Sequence, residues 1–329
     1  MRTWDEPRDA DALSALLPAP GPTAFAALST TGRMPILQGI VLFFGALMAE
    51  GVAFALAAPL RGSIGQSGVA LLAALFGVVL AVLVYFVAAR FIGARPACDF
   101  ESQDSLREGL TGILLGALLM CAVAGIAAAA DAYRVVGVNA HSLIAVSAGQ
   151  SILAAVCEEI AFRAGLLRLL EHRLGTWWAL GLTSALFGAA HLLNPEAGWW
   201  GALAICLEAG ILLGACYIVT RRLWFVIGVH AAWNFTQGGI LSSDVSGTGS
   251  EHSGLLDAVI DGPWWLTGGS AGFEGSLSAI LVCLVTGLAL LALAHRRGLV
   301  IPRGAFRHEV LGPCGPVDVD EPTDNGGES

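Results

Sequence analysis

Runs of apolar residues about as long as a bilayer is thick recur along nearly the whole chain, separated by short polar or charged breaks. A helix needs roughly 20 apolar residues to cross the hydrocarbon core. Eight runs approach that length, at 36–58, 68–91, 109–130, 140–161, 177–193, 201–219, 223–240 and 277–294. The fifth and seventh are short, and each carries a His and an Asn near its far end. Short spans with polar groups are expected where helices surround a cavity and do not face lipid. The pattern therefore predicts an all-α membrane protein, a bundle of eight transmembrane helices with an intramembrane polar cavity. Segments 1–35 and 296–329 lack the apolar content of a core. They are read as disordered tails around a transmembrane domain at 36–295.

Composition agrees with this pattern. Hydrophobic residues make up 56% of the 329 and charged residues only 13%, about half the roughly 25% that coats an ordinary soluble domain. The net charge of −9 leaves no basic stripe for phosphates, so nucleic acid is not an expected partner. All 17 basic residues are Arg, and they sort by side. With eight spans, 15 of the 17 fall on one side and only Arg61 and Arg134 on the other. Positive charge is retained on cytoplasmic loops, so the rule predicts an integral protein, of a bacterial plasma membrane, with both tails cytoplasmic. The acidic loop 241–276, with its Trp264-Trp265 pair, then lies on the far side. The seven Cys are scattered singly with no C-x-x-C pair, which argues against a disulfide framework or a Cys-ligated zinc site.

Ionisable groups inside spans are costly unless paired or hydrated, and so are functional candidates. The densest set lies between 158 and 234. In Glu158-Glu159-Ile160-Ala161-Phe162-Arg163, Glu159 and Arg163 stand four apart and share a helix face, so they can pair. Glu158 points about 100° away and has no sequence-local cation. A free carboxyl in an apolar cavity suits general acid–base work. Two further elements follow, Phe187-Gly188-Ala189-Ala190-His191 and His230-Ala231-Ala232-Trp233-Asn234. If Gly175 turns an antiparallel hairpin, Glu158 and His191 are nearly equidistant from it and lie at one depth. Counted in from Arg222, His230 comes out shallower, as though the hairpin's end projects beyond the bilayer. Glu50 and Glu208 are unpaired in sequence and are read as structural. Gly112-x-x-x-Gly116 and Gly210-x-x-x-Gly214 are read as close helix contacts.

Glu-Glu-x-x-x-Arg at 158–163, Phe-x-x-x-His at 187–191 and His-x-x-x-Asn at 230–234, in this order on successive helices, resemble the CPBP family of intramembrane proteases. That family includes CAAX prenyl endopeptidases and bacterial proteins of bacteriocin processing and self-immunity. The resemblance covers about 140–240 and implies an endopeptidase acting on a membrane-bound or lipid-modified peptide or protein. It further implies that Glu158 activates water with His191 as its partner, that His230 and Asn234 stabilise the oxyanion, and that Glu159 and Arg163 support them. Two His and a Glu also suit a divalent metal such as Zn²⁺, held by Glu158, His191 and His230. Asn234 is an ordinary oxyanion donor and a poor zinc ligand, which favours the metal-free glutamate mechanism. The rival classes are a non-catalytic scaffold or self-immunity protein and a proton-coupled transporter. Against transport, no inverted repeat is visible and the ionisable residues cluster in one half.

Overall fold

The computed structural model describes residues 34–93, 97–101, 104–249 and 253–303. The predicted tails 1–35 and 296–329 lie mostly outside these residues. A helix occupies each of the eight apolar runs. They are α1 (Pro35–Ala57), α2 (Arg61–Val87), α3 (Ser105–Ala129), α4 (Ile144–Leu174), α5 (Thr176–Ala190), α6 (Gly198–Thr220), α7 (Leu223–Asn234) and α8 (Leu277–Arg296). Five stretches of described helix are long and apolar enough to cross a membrane, and the first of them, Pro35–Gly93, is 59 residues long. At about 1.5 Å per residue that is roughly 90 Å, three times a bilayer core. It is a hairpin folded at Gly65, whose φ of 69° puts the backbone where only glycine sits without strain. Gly45 accordingly faces Val84, and Gly77 faces Ala53.

Small residues let these helices approach. One face of α1 buries Ala46, Ala49, Ala53 and Ala57, while Phe44, Met48 and Leu56 point outward from the molecule. Such an inside-out distribution of side-chain size is that of a bundle solvated by lipid. On α3, Gly112 and Gly116 lie directly against the backbone of α7, and a Cβ on either would run into the carbonyl oxygens of Phe225 and Val229. Helix α7 carries His230 and Asn234, so this contact sets the position of two candidate residues. On α6, Gly210 packs on Ser184 and Gly214 on Leu180 of α5.

One end of the bundle is tied by ion pairs buried among the helices. Asp99 accepts hydrogen bonds from Arg168 (3.0 and 3.1 Å), Tyr85 (2.6 Å) and Tyr217 (2.7 Å). Glu171 accepts from Arg221 (2.6 and 3.1 Å) and from Thr176 (2.6 Å). Arg222 bonds Glu108 at 2.5 Å. The start of the predicted C-terminal tail belongs to this knot and is ordered, contrary to the expectation for 296–329. Ile301 exchanges hydrogen bonds with Thr176 (2.8 and 2.9 Å), Arg221 donates to the Leu299 carbonyl, and both apolar side chains are buried. The short apolar segment Leu299-Val300-Ile301 is too brief to register as a core element in hydropathy.

The other end carries the one feature that the all-α expectation omits. β1 (Tyr133–Val138) and β2 (Leu256–Ile260) pair antiparallel from Tyr133↔Ile260 to Val138↔Leu256, with an irregularity between Val135 and Gly137. Both are short, β-branched runs inside connecting segments, and only their mutual pairing makes them strands. β2 belongs to the loop 241–276, which is thereby a folded cap. Trp264 meets Trp200 edge-on at 4.9 Å within it.

Candidate active site

All three sequence elements converge. Glu158, His191, His230 and Asn234 line one cavity of about 710 Å³. Its floor is formed around Glu158 and Phe162, and its walls rise towards Gln66, Leu143, Thr248 and Ser253 at the β1–β2 end. Helix α4 presents Glu158 and Glu159 where its regular turns give way to a wide π-helical stretch, Ile160–Leu167. Two more such stretches flank the site, Cys206–Gly210 in α6 and Phe235–Ile240 just after Asn234. π-turns insert a residue and re-aim side chains, and they recur at functional sites. No hydropathy pattern distinguishes them from α-helix.

Glu159 is fully buried and is held by two cations' worth of donors. Arg163 donates to its Oε1 at 3.0 Å, the pair expected from the four-residue spacing. His230 Nδ1 lies 2.8 Å from the same oxygen. That second contact joins α4 to α7 and was not legible in the sequence. His230 is therefore level with the glutamates. The offset in residue count is taken up by α4 running on to Leu174, beyond the predicted end of its span. The other nitrogen of His230, Nε2, faces Glu158 Oε2 at 4.0 Å. Glu158 itself has no hydrogen bond on Oε2 among the described residues, as its position off the Glu159–Arg163 face implies.

Phe187, the first residue of the second element, is the hub of the apolar side. Its ring meets Phe162 at 5.0 Å, His191 at 4.9 Å and His230 at 6.3 Å, and the Arg163 guanidinium lies over it at 4.7 Å. His191 Nδ1 is 2.8 Å from the Phe187 carbonyl. This bond fixes the ring as a donor at Nδ1 and leaves Nε2 as an acceptor, on the pattern by which second-layer contacts set histidine tautomers. Glu274 was missed by sequence reasoning, which placed it in the outer loop. It turns inward and accepts from Trp233 Nε1 (3.0 Å), Ser246 N (2.7 Å) and Ser246 Oγ (2.8 Å). The cap is thus fastened to the helix that carries His230 and Asn234. Nothing in the local sequence of Gly272-Phe273-Glu274-Gly275 signals that inward turn.

Residues 140–236 match the family described as type II CAAX prenyl endopeptidase Rce1-like. The matched segment is Rce1-like in sequence. No curated protein and no solved structure matches the chain. The Rce1-like segment contains all six residues singled out in the sequence, and it spans α4 to α7. The match falls within the 140–240 stretch of the resemblance read from the motifs and supports a peptidase family, with a protein or peptide as substrate.

A metal is the remaining question that the donor set can address. Among the described residues, no three His, Cys, Asp or Glu side chains gather as a metal-holding group. Nδ1 of His230 is engaged by Glu159 and Nδ1 of His191 by a backbone carbonyl, which leaves each Nε2 open. As placed, Glu158, His191 and His230 do not gather into a zinc cage.

Proposed function

We propose that the protein is an eight-span intramembrane endopeptidase in which Glu158 is the general base that activates the hydrolytic water. The observation that carries this reading is the pairing of an engaged and an unengaged carboxylate side by side. Glu159 is bonded through Oε1 to Arg163 and His230, while Glu158 lines the cavity next to His230 with no hydrogen bond to a described residue. A structural role explains the first carboxylate and leaves the second without a purpose in an apolar span.

Peptide hydrolysis needs a base for water, a donor to the leaving amine and donors for the tetrahedral oxyanion. Glu158 takes the water's proton and water oxygen attacks the carbonyl carbon. His230 and Asn234, on one face of α7, donate to the carbonyl oxygen as it becomes negative. For His230 to donate into the cavity from Nε2 while Nδ1 donates to Glu159, it acts as the imidazolium, and Glu159 supplies the balancing charge. The tetrahedral intermediate collapses as the C–N bond breaks, and the amine leaves with the proton first taken by Glu158, relayed with His191 as partner. Arg163 and Glu159 hold the geometry and touch no reacting atom.

The arginine-bearing end of the bundle is proposed as the cytoplasmic one, by the same charge asymmetry read from the sequence. The substrate is proposed to be a membrane-associated peptide or protein. Peptide termini compared by mass spectrometry in membranes carrying wild type or Glu158→Gln at equal abundance test the proposal. Termini produced only by the wild type are expected. If both membranes yield the same termini, the general-base assignment is wrong, and flux of a solute or protons in vesicles would then favour the transporter. Chelators are expected to leave cleavage unchanged, because the donor set does not form a metal cage.

A further inference from the structure

Glu50 is the only charged residue in α1, within Pro35–Ala57. It was read from sequence as a structural pairing residue, yet it lines the same cavity as Glu158. No hydrogen bond or ion pair joins it to any described residue. Five other interior carboxylates have a bonded partner on at least one oxygen. Glu159, Glu171, Asp99 and Glu108 each have an Arg within 3.0 Å, and Glu274 has three donor contacts, from Trp233 and Ser246. Glu208 also has a bare oxygen, but it borders a smaller adjoining void of about 20 Å³, room for one water and no more. The cavity at Glu50 is of the size that holds a ligand.

The wall chemistry of that cavity is one-sided. Two carboxylates, Glu50 and Glu158, line it and no Arg does, and the chain has no Lys. His191 and His230 are committed to a backbone carbonyl and to Glu159. A carboxylate in an apolar helix requires a cation or water to carry its charge. The charge that the mechanism places on His230 is met by Glu159 and Glu158, which leaves Glu50 to water or to a cation that enters.

Resting on the peptidase reading, we propose that Glu50 is a specificity residue that binds a lysine or arginine side chain of the substrate close to the scissile bond. The same one-sided charge disfavours a substrate that must bury a free terminal carboxylate there. The preferred substrate class is therefore a peptide cut internally beside a basic residue.

The test uses the full-length chain in liposomes and quenched fluorescent peptides that are identical except at one scanned position, which is Lys, norleucine or Glu. The wild type is expected to cut the Lys peptide best and the Glu peptide worst. In Glu50→Gln the ratio of kcat/KM for Lys over norleucine should fall by about tenfold, the scale for losing one buried charged partner. Glu50→Asp should keep most of the preference, and Glu50→Arg should favour the Glu peptide. An unchanged ratio in Glu50→Gln overturns the assignment. A large drop in kcat for every peptide in Glu50→Gln and Glu50→Asp alike, with a displaced pH profile of the residual activity, also overturns it and makes Glu50 a proton partner of Glu158. If the wild type cuts no peptide in the series, the peptidase reading itself fails and this inference falls with it.

Discussion

Neighbouring carboxylates in one helix turn have opposite fates here because two hydrogen-bond donors reach one of them and neither reaches the other. Glu159 takes Arg163 and His230 on the same oxygen, and Glu158 takes neither as a direct hydrogen bond. The two should therefore separate in experiment. Glu159→Gln leaves Arg163 buried without its counter-charge, and is expected to lower stability by about 3–5 kcal/mol, read as the unfolding midpoint in detergent. Glu158→Gln removes no bonded partner and should stay within about 0.5 kcal/mol of wild type while losing cleavage. Equal destabilisation by both would show that Glu158 is structural. The Glu159–Arg163 pair was legible because a four-residue spacing is a local fact of helix geometry. The His230–Glu159 bond was not, since it joins residues 71 apart in sequence. The inward turn of Glu274 and the cavity-facing position of Glu50 escaped for the same reason. Hydropathy reports whether a charge lies in an apolar run and says nothing about what it meets across the bundle.

Helices in this chain are positioned by what they lack. The contact of α3 with α7 depends on Gly112 and Gly116, where a Cβ would strike backbone that cannot give way. Gly116→Val should push α3 off α7, lower the unfolding midpoint by an amount equivalent to at least about 1–3 kcal/mol, and reduce cleavage through His230. Gly125→Val, on the same helix, is the control, because a Cβ there meets nothing within 4 Å. Comparable losses in the two variants would remove the close-contact argument. All eight helices were readable from apolar length, and the turn at Gly175 from the interruption of the runs, whereas the fold at Gly65 is known only from its backbone angles. The limits of that reading are physical. A π-turn uses the same side chains as an α-turn, and β1 and β2 are strands only because they find each other 118 residues apart at Val138 and Leu256.

Across the whole molecule, charge is divided between the two ends. The knot around Asp99, Glu171 and Glu108 closes one end, and the cavity walls rise towards the other. Asp99→Ala removes the bonded carboxylate from Arg168 and from two tyrosine hydroxyls, and should cost about 3–5 kcal/mol by unfolding in detergent without altering peptide preference. If the arginine end faces the cytoplasm, Thr248 at the cavity rim faces away from it. Thr248→Cys should then take up a membrane-impermeant maleimide in intact cells above the background of the native cysteines, and labelling only after permeabilisation would invert the orientation. The charge asymmetry of the chain made the two ends legible. The knot was not, because a buried Arg and an exposed one are written with the same letter.

The strap formed by Leu299 and Ile301 also has a consequence for biogenesis. It closes on Thr176 at the turn between the two helices that carry Glu158 and His191, and on Arg221 just before the helix that carries His230. During synthesis those three helices emerge long before residue 301 exists. The candidate site therefore reaches its final packing only after Ile301 has left the ribosome, and until then the helices that carry Glu158, His191 and His230 lack one of the ties that hold them together.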